Sequence, residues 1–96
     1  MITKDQVVEA LKKSFDPELM IDVYTLGLIY DIKIKGDNVK IKMTLTTPLC
    51  PYGPMLIEDV KAKVKDIAKA KKVDVEVTFD PPWKPSDEIK MMLGLP

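Results

Sequence analysis

The chain has 96 residues, with fifteen acidic side chains balanced by fifteen basic ones for a formal net charge of +0. Every basic residue is a lysine and there is no histidine. This argues against a nucleic-acid binder, which normally carries a basic excess and arginine forks, and it removes Cys–His and Ser–His dyads and histidine-containing zinc sites.

A hydrophobic content of 46% fills one modest core, so residues 1–96 are expected to form a single domain. The longest uncharged run, residues 43–57, is too short to span a bilayer and contains Pro48, Pro51 and Pro54. The N-terminus lacks the pattern of a signal peptide, and a lone cysteine makes no internal disulfide. A reducing cytoplasm is the expected setting, with no membrane association.

Residues 3–15 read as a helix, with Thr3 and Gln6 at capping-box spacing and Val7, Leu11 and Phe15 as its apolar stripe. Asp16-Pro17 ends it, because the residue before proline avoids the helical region. The connector that follows packs down, or adds a short strand, through Leu19, Met20, Ile21 and Val23. Residues 27–35 alternate, with Leu28, Tyr30, Ile32 and Ile34 inward. After the turn residues Gly36, Asp37 and Asn38, residues 39–46 alternate again, with Val39, Ile41, Met43 and Leu45 inward, which predicts a hairpin. Residues 54–70 carry Ile57, Val60, Val64 and Ile67 at helical spacing. Residues 73–80 read as a third strand with Val73, Val75, Val77 and Phe79 inward. The tail holds a short helix between Ser86 as cap and Gly94 as stop.

Each strand has one apolar and one charged face, so helices cover the sheet on one side only. The predicted fold is α/β in the α+β sense. It is a two-layer sandwich of order α-β-β-α-β, with a three-stranded sheet and a short C-terminal helix. Lys33, Lys35, Lys40 and Lys42 crowd the open face, where Asp74 and Glu76 relieve them.

The stretch TTPLCPYGP, residues 46–54, carries the one cysteine. Cys50-Pro51-Tyr52-Gly53 fits a type I turn, and Pro54 suits the first helical position. Cys50 is thus placed within one turn of a helix start, where unpaired amides and the macrodipole favour a thiolate. Thr46, Thr47, Pro48, Pro51 and Gly53 form its supporting loop. A free cysteine is also often a small buried apolar residue, and the spacing alone leaves both readings open. Asp16 with Glu18, and Asp31, are the acidic candidates. Trp83, in the stiff DPPWK segment, either covers the core end or anchors a partner.

Taken in order, DPEL, LGLIYDI, MTLTTPLCP and DPPW with a final LGL resemble the PaaD-like and SufT-like proteins. These form the metal–sulfur cluster biosynthesis family related to the eukaryotic cytosolic iron–sulfur targeting factors. The resemblance runs from about residue 7 to residue 95. It implies the α-β-β-α-β fold and a role in maturing iron–sulfur proteins, with Cys50 as the family cysteine and Asp16, Glu18 and Asp31 at the family's acidic positions. The absence of a histidine and of a second cysteine points to a non-enzymatic role. One thiolate is short of the about four that hold a cluster. A transient cluster would therefore be shared with another chain or a small thiol. The implied partners are iron–sulfur clients and assembly or carrier proteins, or a second copy of the chain. The alternative is a metal-free adaptor docking clients onto the assembly machinery. A thiol enzyme and a weak RNA binder are further from the residues present.

Overall fold

The computed structural model describes residues 2–17, 19–46, 52–80 and 82–94. Its elements are α1 (Lys4–Leu11), β1 (Ile29–Lys35), β2 (Asn38–Met43), α2 (Gly53–Ile67), β3 (Lys72–Val77) and α3 (Asp87–Leu93). The order is the expected one.

Local chemistry sets several boundaries as read. The Gln6 amide donates to Thr3 Oγ1 at 3.2 Å and the Thr3 amide donates to Gln6 Oε1 at 2.9 Å, a complete capping box. The Ile89 amide donates to Ser86 Oγ at 3.2 Å, and Gly94 ends α3 at φ +71°, a left-handed stop that suits glycine.

α1 is shorter than the stripe of Val7, Leu11 and Phe15 suggests. The Lys13 and Ser14 amides donate to Ala10 and Leu11 carbonyls at 3.0 and 3.1 Å, tightening the last turn. The chain then doubles back. The Asp16 amide donates to Ile21 O at 3.0 Å, the Val23 amide to Ser14 O at 2.9 Å, and Phe15 bridges Asp22. Phe15 thereby leaves the helix and stands half exposed, while Ser14 is fully buried. In the connector Val23 is buried, Leu19 and Ile21 are half-buried, and Met20 is exposed at φ +58°.

The sheet order is β1-β2-β3, with β1 and β2 antiparallel and β2 and β3 parallel. Val39, Ile41 and Met43 of the central strand are buried, and its lysines are exposed. The alternation read along β1 is interrupted. Ile29 pairs with Met43 but Asp31 pairs with Lys42, so Tyr30 is the extra residue of a β-bulge. Ile29 packs against the core in the step where an unbroken alternation places Tyr30. Phe79 is not inward either. β3 ends at Val77, and the Asp80 amide turns onto Thr78 Oγ1 at 3.2 Å, which leaves Phe79 exposed.

α2 buries Gly53, Leu56, Val60 and Val64, followed by Ala68, whereas Ile57 is half-buried and Ile67 exposed. Two helical stripes share Val60 and Val64. The one ending in Gly53 and Ala68 faces inward because small residues at its ends let the helix lie close. α1 packs on α2 and α2 on β3, so the helices share one face of the sheet and the other is open.

Candidate functional site

Three short hydrogen bonds gather distant segments at one end of the sheet. The Thr44 amide donates to Leu28 O at 2.8 Å, the Thr78 amide to Met43 O at 2.9 Å, and the Trp83 indole N–H to Leu26 O at 2.7 Å. The start of β1, the ends of β2 and β3, and the DPPW segment therefore meet there. The stretch leading from β2 into α2 leaves from the same end.

A fourth segment joins through α2. Buried Ser14 donates its hydroxyl to Asp59 Oδ2 at 2.7 Å, and Lys63 pairs with Asp59 Oδ1 at 3.3 Å. This ties the Asp16-Pro17 connector to the second turn of α2. Between them lies an open apolar hollow of about 240 Å³ lined by Phe15, Pro17, Met55, Leu56 and Asp59. Neither Ser14 nor this hollow was singled out in the sequence. The separation of 45 residues between Ser14 and Asp59 leaves no local signal for the bond.

Of the supporting residues, Thr46 is half-buried where the chain leaves β2. Gly53 is buried as the first residue of α2, with Pro54 second in place of first. A Cβ on Gly53 would come within 2.9 Å of Leu45 Cδ1, so a glycine is needed for this approach unless Leu45 shifts. The N-cap residue Tyr52 makes no side-chain capping bond, and the first turn of α2 carries no acid. Thr44 is buried, with its hydroxyl donating to Leu45 O at 3.4 Å. Cys50, Glu18, Thr47, Pro48 and Pro51 lie outside the described residues.

The acidic candidates occupy two different places. Asp16 is buried in the connector and its Oδ1 accepts the Leu19 amide at 3.1 Å. Asp31 is exposed on the open sheet face, its Oδ1 accepting the Ile32 amide at 2.9 Å. Trp83 is half-buried and packs against the core. Among the described residues no group of three or more His, Cys, Asp or Glu side chains is placed to hold a metal ion. No described helix is long and apolar enough to cross a membrane.

The profile of iron–sulfur cluster assembly proteins matches residues 4–77. The chain belongs to that family. The sequence is 40% identical over 96 residues to an Fe–S protein maturation auxiliary factor of Porphyromonas gingivalis, covering 96% of this chain and 91% of the relative. It is 36% identical to the Bacillus subtilis factor YitW, with 96% and 94% covered. A solved structure of a conserved hypothetical protein of Thermotoga maritima superposes with a TM-score of 0.85 at 46% identity, over 98% of this chain and 96% of that one. The iron–sulfur cluster assembly fold is therefore the one described above, and the expected two-layer α+β architecture holds. Of the segments that carried the resemblance, Asp16-Pro17 follow Ser14, which is bonded to α2, and Leu26, Leu28, Met43, Thr44 and Trp83 meet at one end of the sheet.

Proposed function

We propose that this protein is an accessory factor that assembles iron–sulfur clusters or delivers them to client proteins, with Cys50 as its thiolate. The observation that supports it best is the meeting of the start of β1, the ends of β2 and β3 and the DPPW segment at the end of the sheet from which the chain leaves β2. Chain connectivity alone holds a residue two before an N-cap within about 7 Å of it. The start of α2 has neither a side-chain cap from Tyr52 nor an acid in its first turn, so its positive end is left to stabilise an anion nearby.

The cluster is cargo. One soft thiolate per chain completes no ligand set, and carboxylates such as Asp16 or Asp31 are harder donors that substitute poorly for sulfur. A client, a carrier, a second copy or glutathione supplies the rest. Such an open site suits transfer more than storage, in a cytoplasmic, reducing setting. The relatives are named auxiliary or maturation factors, which agrees with a non-enzymatic role. The second reading is the metal-free adaptor. The hollow between Phe15 and Met55, both more than a third exposed, favours it as a place for a client side chain.

Iodoacetamide labelling of the folded protein against pH separates the two. The delivery reading predicts an alkylation midpoint below the free-thiol value of about 8.5, with labelling lost as pH falls through it. A midpoint at or above that value removes the activated thiolate.

A further inference from the structure

The strand register sorts the open face of the sheet into three charged rows. At the hairpin-turn end, Lys35 pairs with Asn38 and Asn38 with Lys72. In the middle, Lys33 pairs with Lys40 and Lys40 with Asp74. Toward the β2–α2 stretch, Asp31 pairs with Lys42 and Lys42 with Glu76. All nine side chains are exposed. The third row carries two acids against one lysine, with Lys42 Nζ 3.9 Å from Glu76 Oε2. The first two rows hold four lysines and one acid. Lys33 and Lys40 stand directly opposite each other, an arrangement that costs stability in a sheet. Among the described residues, Lys33, Lys35 and Lys72 form no ion pair. These rows flank an open hollow of about 380 Å³ lined by Lys33, Lys35, Asn38, Val39, Lys40 and Asp74. A chain of net charge +0 has thus segregated positive charge at one end of a flat surface.

We propose that the hairpin-turn end of this face, built on Lys33, Lys35, Lys40 and Lys72, docks an acidic polypeptide segment of a partner protein. Two of these faces repel each other, since each carries five lysines against three acids, so a second copy is a poor occupant. A nucleic acid is a poor one too. The rows contain no arginine and no aromatic ring for base stacking, and the acids of the third row oppose a phosphate backbone running along the strands. A segment lying across three strands spans about 10 Å, the reach of about three extended residues, so a short acidic run suffices. The surface deepens the protein-interaction side of the reading above. It does not involve Cys50, so either can fail without the other.

The test is an amide-shift NMR titration of the whole chain with hexaglutamate, at low ionic strength and at about 0.15 M salt. Shifts are expected at residues 33–40 and 71–74 and should weaken with salt. Lys33→Glu with Lys35→Glu should lower affinity roughly tenfold, while Lys61→Glu with Lys65→Glu on α2 should not. The face variant should melt no lower than the parent, because it removes the Lys33–Lys40 opposition. If it fails to fold, Lys33→Gln with Lys35→Gln replaces it. Shifts spread equally over the α2 lysines would overturn the proposal. So would equal binding of inorganic phosphate, or tighter binding of a single-stranded oligonucleotide.

Discussion

Cys50→Ser should fold like the parent chain and fail to sustain iron–sulfur enzyme activity in cells lacking the wild-type protein. The described core is built from α1, the connector, the three strands, α2 and Ile89, with Ile2, Leu45, Ala68 and Ala70 beside them. The substitution nearly keeps size and changes chemistry, replacing a soft thiol donor with a hard hydroxyl. The measurement is client-enzyme activity in complemented cells beside the melting temperature of the purified variant. A stability loss of about 2–4 kcal/mol would assign Cys50 to the core. Normal complementation by a stable variant would leave the thiol without a role and favour the adaptor.

Trp83→Ala carries the largest expected effect on stability. The ring packs against the core, and its N–H donates to Leu26 O at 2.7 Å across 57 residues. Removing both should cost about 2–3 kcal/mol, less than for a fully buried ring. Each kcal/mol lowers the melting temperature of a domain this size by about 4–8 °C. Trp83→Phe keeps most of the packing and loses the hydrogen bond, so about 1 kcal/mol is expected. Client pull-down well below the melting temperature completes the test. An unchanged melting temperature with lost client binding would make Trp83 a partner anchor instead.

What was legible in the sequence was chemistry that acts within one turn of the chain. The capping box of Thr3 and Gln6, the Ser86 cap, the Gly94 stop and the alternation of β2 each depend on neighbours a few residues away. The expectations that changed depend on contacts from far along the chain. Phe15 continues a helical spacing, but buried Ser14 is claimed by Asp59 and the backbone folds back toward Val23. Ile57 and Leu56 are equally good stripe members until close packing selects the face carrying Gly53 and Ala68. Tyr30 keeps the period of two, and the bulge appears only once Ile29 and Asp31 are paired with β2. The candidate site divides in the same way. Cys50 and its prolines stood out as residue types in an uncharged run. The joining of the connector to α2, and the meeting of β1 and the DPPW segment beside the β2–α2 stretch, needed the pairings of Leu28 with Thr44 and Leu26 with Trp83. No spacing rule carries those.

The central claim is that Cys50 offers one thiolate to a cluster completed by others. It is tested most directly by anaerobic reconstitution of wild type and Cys50→Ser with iron and sulfide. The reaction is run with and without glutathione, then desalted and read by absorption and native mass. The account predicts a weakly held cluster on the wild type, only in a dimer or with added thiol, and none on Cys50→Ser. A wild-type monomer that keeps a complete cluster through desalting without added thiol would contradict it, as would a Cys50→Ser protein that retains cluster as well as the parent.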